Sequence, residues 1–230
     1  MGGHVRGAGT QLIEVRGVEK LYGVSYTPIP DRIVAGTLLC AGAVTGGQVE
    51  LTNAHPWDLI PVSDKLKEMG CRIEEERDRM RLTAPRRLRA FSQLQTCPHP
   101  GFPTDMQAQM LAISCVAAGT SVIVENMFEN RLSHVADLRR MGADIRVSSR
   151  TAVVQGVERL RGMHVTARDL RGGAALTLAA LAAEGESVIE NVALIDRGYA
   201  HLEKTLSALG ARIERMNLTS EDRHVTAVAP

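Results

Sequence analysis

The chain has 230 residues, of which 44% are hydrophobic and 23% are charged. This composition is typical of a globular protein with a substantial core, in one large domain or two small ones. The 27 basic and 26 acidic residues nearly cancel, and aromatic residues make up only 3%. Charge and composition therefore argue against binding to nucleic acid or to an anionic membrane. Apolar runs shorter than a membrane span and an N-terminus without an apolar signal region predict a cytoplasmic location.

The four cysteines occur singly along the chain, at Cys40, Cys71, Cys97 and Cys115. Because none forms a Cys-x-x-Cys pair, we interpret them as reduced thiols rather than metal ligands or disulfides. The seven histidines show no metal-ligand spacing, and no glycine-rich phosphate loop occurs. The residues therefore predict neither a metal nor an organic cofactor.

A short pattern recurs along the sequence: Met or Leu, then Gly, two variable residues, and Ile or Val. It begins at residues 1, 69, 141 and 209. A period of about seventy residues is typical of small α/β units rather than of a solenoid. Each unit also contains a run of small apolar residues, at 33–44, 106–119 and 170–185. These runs predict three buried helices that lie side by side, because small side chains let helices approach closely.

The rest of each unit follows the same order. A β-branched strand comes after the buried helix, then an amphipathic surface helix that ends at a glycine, then a closing hairpin. The sequence thus predicts an α/β fold of three βαβαββ-type units, at about 26–96, 97–163 and 164–230.

Residues 1–24 resemble residues 141–163, but the match begins at the glycine that ends a surface helix. The first segment therefore lacks the helices of its unit. We interpret residues 1–25 as the end of a first domain and a hinge, and 26–230 as a second domain. On this interpretation the chain is one piece of a longer, two-domain protein.

Asp105 is the first candidate functional residue. Thr104 and Gln107 stand three apart, as in a capping box, which predicts that Asp105 lies in the first turn of a helix. A carboxylate there can simply complement the helix dipole, and Asp31 and Asp169 occupy similar positions before the other two helices. Spacing alone favours this structural role.

Arg131 and Arg197 form a second candidate group. Each follows a predicted strand and precedes a predicted surface helix. Arginine pairs well with carboxylate and phosphate, so these positions suit an anion site. A solvated arginine or an ion pair between domains is the alternative for each.

Residues 97–109, CPHPGFPTDMQAQ, resemble a signature of the UDP-N-acetylglucosamine 1-carboxyvinyltransferases, which are enolpyruvyl transferases. The enzymes that act on shikimate 3-phosphate share the fold but lack this block. The similarity runs from about residue 1 to 214, with further matching segments at 30–37, 124–143, 166–174 and 195–214.

The resemblance implies an inside-out α/β barrel, with three buried helices, as one incomplete domain of a two-domain enzyme whose substrates bind between the domains. The implied reaction transfers the enolpyruvyl group of phosphoenolpyruvate to the 3-hydroxyl of UDP-N-acetylglucosamine and releases phosphate. This is the first committed step of peptidoglycan synthesis, and it implies no metal or organic cofactor. The missing first domain would act in cis or in trans. The alternative is a truncated or split, non-catalytic domain that needs a partner chain.

The resemblance also implies roles for individual residues. Asp105 matches the aspartate that deprotonates the sugar hydroxyl, and Arg197 matches an arginine that binds phosphoenolpyruvate. Arg131 matches one that lines the cleft. Met127 occupies a position that contacts the nucleotide-sugar, usually through a smaller apolar residue, with core packing as the alternative.

Three more residues match family motifs: Arg32, Asp169 and Arg171. The resemblance gives them roles in domain closure or product release, with an ordinary surface salt bridge as the alternative. The family's reactive cysteine belongs to a loop of the first domain, so none of the four cysteines takes that role. Cys115 lies in a predicted buried helix and is interpreted as a small core residue.

Overall fold

The structure, a computed structural model, describes residues 1–216 and 225–229. The chain divides into two compact units, Met1–Pro30 and Asp31–Pro230. The first unit holds an antiparallel pair of short strands, β1 (His4–Arg6) and β2 (Glu14–Arg16). The assignment of residues 1–25 to the end of a first domain stays a prediction.

The second unit alternates helices and strands. Its helices are α1 (Arg32–Val44), α2 (Ile60–Glu68), α3 (Gln107–Ser114), α4 (Val135–Arg140), α5 (Leu170–Leu181), α6 (Ala193–Asp196) and α7 (Leu202–Ala208). Short 3-10 helices span Pro56–Asp58 and Thr104–Met106. Its strands are β3 (Gln48–Thr52), β4 (Arg72–Glu75), β5 (Arg79–Thr83), β6 (Gln93–Gln95), β7 (Thr120–Val124), β8 (Asp144–Ser148), β9 (Thr151–Gln155), β10 (Leu160–Arg161), β11 (His164–Thr166), β12 (Ala183–Glu184), β13 (Ser187–Glu190), β14 (Arg212–Met216) and β15 (Val225–Ala229).

The strands of this unit form three main sheets within the described residues, with orders β3-β5-β4, β6-β7-β9-β8 and β11-β13-β15-β14. In the second and third sheets the first strand runs parallel to its neighbour, and the remaining pairs of all three sheets are antiparallel. The hairpin β8–β9 is the structural counterpart of β1–β2, in agreement with the sequence match between those segments. Within the described part of the chain, no helix combines the length and apolarity needed to cross a bilayer.

Helices α1, α3 and α5 contact one another in the core, and every residue of α3 is buried. The prediction of three buried helices in contact is confirmed. Two of them end earlier than expected, because the last residues of each apolar run leave the helix to pair with a neighbouring segment. Ala118 pairs with Arg89, and β12 pairs with β10.

The surface helices α2, α4 and α7 end as the sequence predicts. Each is followed closely by a glycine with positive φ: Gly70 at 96°, Gly142 at 97° and Gly210 at 103°. A residue with a side chain rarely adopts this conformation, so the glycine stops the helix and turns the chain into the next strand.

Two glycines in the central helices provide a test of how closely the core is packed. A Cβ at Gly173 would stand 2.7 Å from Ile195 Cγ1 and 2.9 Å from Ala167 Cβ. We expect Gly173→Ala to lower the free energy of unfolding by about 1–3 kcal/mol, as overpacking does. Urea denaturation of the full chain measures the change.

Gly36→Ala is the matched control. Its Cβ would meet the flexible end of Met106, at 2.9 Å from Cε and 3.0 Å from Sδ, which can move aside. Alanine is a better helix former than glycine by about 1 kcal/mol, so Gly36→Ala should be neutral or stabilising. Equal effects of the two substitutions would contradict this description of the core.

Candidate active site

Asp105 lies in the 3-10 helix just before α3. The capping box predicted from Thr104 and Gln107 is wrong. The Thr104 hydroxyl donates instead to Glu125 Oε2, at 2.9 Å, and the side chain of Gln107 is buried. The ionisable acceptor at Glu125 competes successfully for the hydroxyl, and the chain enters the helix without a side-chain cap.

Two arginines converge on the carboxylate of Asp105. Arg171 Nη2 donates to Asp105 Oδ2 at 3.0 Å, and Arg131 Nη2 donates to Asp105 Oδ1. The arginine side chains are only 13% and 21% exposed, whereas that of Asp105 is 39% exposed. The two arginines therefore hold the carboxylate through their mostly buried side chains, while part of the carboxylate stays accessible to a ligand.

The two arginines also determine the ionisation of Asp105. Partial burial favours the protonated form, but the hydrogen bond and charge of Arg171, with those of Arg131, outweigh it. The pKa of Asp105 is therefore below its ordinary value of 3.8. Asp105 carries a negative charge at neutral pH, as a general base must.

Glu125 is a buried residue that the sequence analysis missed. Its carboxylate accepts hydrogen bonds from the hydroxyls of Thr96 and Thr104, both at 2.9 Å. It also accepts from the backbone N–H groups of Met127 at 2.8 Å and Phe128 at 3.2 Å. Glu125 thereby fastens the segment before Asp105 to the turn after β7. The recurrence of Glu-Asn at the ends of β7 and β13 was the available signal.

Asp31 and Asp169 lie just before helices, as the sequence predicts, and the structure shows that each caps the helix that follows. Asp31 Oδ1 accepts from the N–H of Ile33 at 2.7 Å. Asp169 Oδ1 accepts from the backbone N–H of Arg171 at 3.0 Å and of Gly172 at 2.8 Å. The cap at Asp169 fixes the first turn of α5, from which Arg171 reaches Asp105. Arg171 does form a salt bridge, with Asp105, but its own side chain is mostly buried, so the pair is only partly exposed.

Arg197 ends the short helix α6, which the sequence analysis did not foresee. It is exposed and has no ion-pair partner within 4 Å among the residues that the structure describes. It lines a cavity of about 470 Å³ together with Asp105, Arg131, Asp169 and Arg171. Asp105, Arg131 and Arg197, the main candidates from the sequence, thus line one cavity although they are far apart in the chain.

A second cavity, of about 430 Å³, also has Asp105 in its lining. Its walls include Arg32 and the exposed side chains of Trp57, Met127 and Phe128. Met127 is 42% exposed, so core packing is wrong for this residue. Trp57, which stacks on His55 with ring centroids 4.8 Å apart, was not identified from the sequence.

Three of the four cysteines line neither of these two cavities. Cys40, Cys71 and Cys115 are buried, and Cys97 is partly buried in the wall of the second cavity. Burial raises the pKa of Cys115 to about 12, so its thiol is neutral and a poor nucleophile. The interpretation of Cys115 as a core residue is confirmed.

Comparison with known proteins places this site in a family. The family model for EPSP synthase (3-phosphoshikimate 1-carboxyvinyltransferase) matches residues 1–206. The chain therefore belongs to this family of enolpyruvyl transferases, which are enzymes.

Similar relatives narrow the assignment within the family. A UDP-N-acetylglucosamine 1-carboxyvinyltransferase of Desulfofundulus thermocisternus is 54% identical over 216 residues, which cover 94% of this chain and 88% of that one. UDP-N-acetylglucosamine 1-carboxyvinyltransferase 2 of Caldanaerobacter subterraneus subsp. tengcongensis (strain DSM 15242 / JCM 11007 / NBRC 100824 / MB4) is 47% identical over 94% of this chain and 52% of its own length. The chain thus spans about half the length of the Caldanaerobacter relative.

A solved structure supports the fold. The enolpyruvyl transferase NikO from Streptomyces tendae superposes with a TM-score of 0.79 at 27% identity. The match covers 100% of this chain and 52% of that structure. The α/β enolpyruvyl transferase-like fold predicted from the sequence fits this comparison.

The ionisation of Asp105 gives a pH-dependent prediction. Because the pKa in the folded protein is lowered, the paired carboxylate adds stability above its ordinary pKa, and this is lost as pH falls through the folded pKa. We expect Asp105→Asn to lower the free energy of unfolding by about 1 kcal/mol at neutral pH, a modest value because the side chain is 39% exposed. In acid, denaturation measurements should give the two proteins nearly equal free energies of unfolding.

Asp64→Asn is the control, because Asp64 is 64% exposed and stands 4.0 Å from Lys67. It should change stability little at either pH. A difference between Asp105→Asn and the unchanged protein that stays constant with pH would contradict the ionic pairing.

Proposed function

We propose that this chain supplies one wall of the active site of a UDP-N-acetylglucosamine 1-carboxyvinyltransferase. The observation that carries the proposal is the position of Asp105, which lines both cavities and is held ionised by two arginines. A base so placed can accept the proton of a hydroxyl group that lies in one cavity, while the oxygen of that hydroxyl attacks an electrophile in the other. The names of the relatives supply one substrate, UDP-N-acetylglucosamine. The resemblance implies the other, phosphoenolpyruvate, as the donor of the carboxyvinyl group.

The second cavity suits the nucleotide-sugar. Trp57, Met127 and Phe128 offer apolar and aromatic surface beside Asp105, and Arg32 offers a positive charge. Ligand pockets are commonly apolar with a few polar groups that fix orientation. We propose that UDP-N-acetylglucosamine lies here with its 3-hydroxyl directed at Asp105.

The first cavity suits phosphoenolpyruvate, which carries a carboxylate and a phosphate. Arg197 is the arginine best placed to bind it, since it is exposed and has no ion-pair partner within the described part of the chain. Arg131 and Arg171 line the same cavity but are paired with Asp105. Guanidinium groups bind such anions through paired hydrogen bonds.

The proposed reaction begins as the oxygen of the 3-hydroxyl bonds to C2 of phosphoenolpyruvate and its proton passes to Asp105. The methylene carbon takes a proton from a group outside the described residues, which gives a tetrahedral intermediate. A proton of the new methyl group then returns to the group that supplied it, and the bond between C2 and the phosphate oxygen breaks, which restores the double bond. The proton held by Asp105 leaves with the phosphate, so the carboxylate is regenerated. Arginines around the first cavity stabilise the negative charge of the carboxylate and of the departing phosphate.

The arginine pairing has a consequence for this step. A carboxylate held by two guanidinium groups is ionised but is a weak base. An incoming anion would compete with Asp105 for Arg131 and Arg171. Its arrival would therefore raise the basicity of Asp105 at the moment when the hydroxyl must be deprotonated.

We further propose that the opposite wall of the cleft belongs to another domain, in the same polypeptide or in a partner chain. Two observations support this: the cavities are open to solvent at Asp105, and the chain spans about half of the Caldanaerobacter relative. The resemblance leads us to propose also that the fold is an inside-out barrel of three units. It suggests domain closure or product release as the role of Arg32, Asp169 and Arg171, and peptidoglycan synthesis as the pathway.

The test joins this chain to the part of the Caldanaerobacter relative that it does not cover. We expect the chimera to release phosphate from phosphoenolpyruvate only when UDP-N-acetylglucosamine is present, and the chain alone to release none. Asp105→Asn in the chimera should lower kcat by about 100-fold or more, as loss of a general base does. Asp64→Asn should leave kcat unchanged.

Two results would contradict the proposal. Turnover by an Asp105→Asn chimera at the unchanged rate would remove Asp105 from the reaction. Turnover by the chain alone at the rate of the chimera would show that no second domain is needed.

A further inference from the structure

Tyr199 lies in the core, two residues after Arg197, and is only 2% exposed. Its hydroxyl lies 2.9 Å from Thr37 Oγ1, and Gln109 Nε2 donates to it at 3.0 Å. Gln109 Nε2 also lies 3.1 Å from Thr37 Oγ1. Thr37 belongs to α1 and Gln109 to α3, so the hydroxyl is fixed by two of the three central helices.

The hydrogen bonds around this hydroxyl form a consistent set. Burial raises the pKa of Tyr199 above its ordinary value of 10.0, although Thr37 and Arg171 oppose the shift, so the group is protonated at neutral pH. It can donate to Thr37 while Thr37 donates to the carbonyl of Ile33 at 2.8 Å. A buried polar group that is satisfied in this way holds one orientation.

The ring of Tyr199 meets Arg171, which belongs to the third central helix. The guanidinium carbon lies 5.6 Å from the ring centroid, a distance suited to a cation–π contact. Arg171 Nη1 is buried and forms no hydrogen bond with the described residues. The other terminal nitrogen of the same guanidinium, Nη2, donates to Asp105 Oδ2.

The chain around Tyr199 confines Arg171 further. A Cβ on Gly198 would stand 2.9 Å from Leu170 Cδ2 and 3.3 Å from Arg171 Nη1. The backbone at Gly198 thus closes one side of the guanidinium, while the tyrosine ring closes another.

We propose that Tyr199 is a positioning residue that holds Arg171 against Asp105. Its hydroxyl, bound by Thr37 and Gln109, keeps the ring in place, and the ring keeps the guanidinium in the orientation that pairs with the carboxylate. Tyr199 affects the reaction only through Asp105, and that effect rests on the proposed function. The pairing of Arg171 with Asp105 is a property of the folded chain and does not depend on turnover.

The test is a carbon-13 NMR titration of the Asp105 carboxyl group in the full chain, assigned by its absence in Asp105→Asn. We expect Tyr199→Leu to raise the pKa of Asp105 towards its ordinary value, because Arg171 is released. Tyr199→Phe keeps the ring but loses both hydrogen bonds, so the pKa should rise in the same direction by less.

Phe91→Leu is the matched control, because Phe91 is also fully buried and its ring contacts another cation, Lys65. It should leave the Asp105 titration unchanged. The charged groups that share the cavity walls with Asp105 remain in every variant: Arg32, Asp58, His99, Glu129, Arg131, Asp169, Arg171 and Arg197.

An unchanged Asp105 titration in folded Tyr199→Leu would overturn the inference, and so would an equal shift in Phe91→Leu. If Tyr199→Leu does not fold, Tyr199→Phe decides in the same way: a raised pKa supports the inference, and an unchanged one overturns it. The titration requires no turnover. Its failure is therefore distinct from failure of the chimera to release phosphate.

Discussion

The pairing of one carboxylate, Asp105, with two guanidinium groups is the interaction on which the rest of the site depends. Asp105 precedes α3, Arg131 follows β7, and Arg171 lies in the first turn of α5. The pairing joins three segments that are distant in sequence. It also keeps Asp105 ionised while leaving it open to solvent, as its proposed role as a base requires.

The core explains why these segments meet. Small residues in α1, α3 and α5 let the three helices pack directly against one another. The residues that begin each helix, near Arg32, Asp105 and Arg171, consequently line adjoining cavities. The connection after β7 brings Met127 to one of these cavities and Arg131 to the other, and the connection after β13 brings Arg197 to the cavity of Arg131.

The sequence predicted much of this arrangement because periodic apolar runs and capping residues act locally. The three buried helices, the glycine stops and the positions of Asp31 and Asp169 before their helices follow from neighbouring residues. The contacts of Glu125 and Tyr199 do not. Glu125 binds a hydroxyl 21 positions away, and Tyr199 one 162 positions away, so their roles exist only after folding. The resemblance identified Asp105 and the arginines, but it could not show that two of those arginines bind the aspartate.

The most direct measurement of the central claim is a double-mutant cycle in unfolding free energy, made from Asp105→Asn, Arg171→Met and both together. If the pairing is real, the two substitutions should couple by about 1 kcal/mol, above the roughly 0.5 kcal/mol expected of independent sites. The control cycle uses Arg197→Met in place of Arg171→Met. Arg197 lines the same cavity but does not pair with Asp105, so the effects of Asp105→Asn and Arg197→Met should be additive. Additive effects of Asp105→Asn and Arg171→Met would contradict the account.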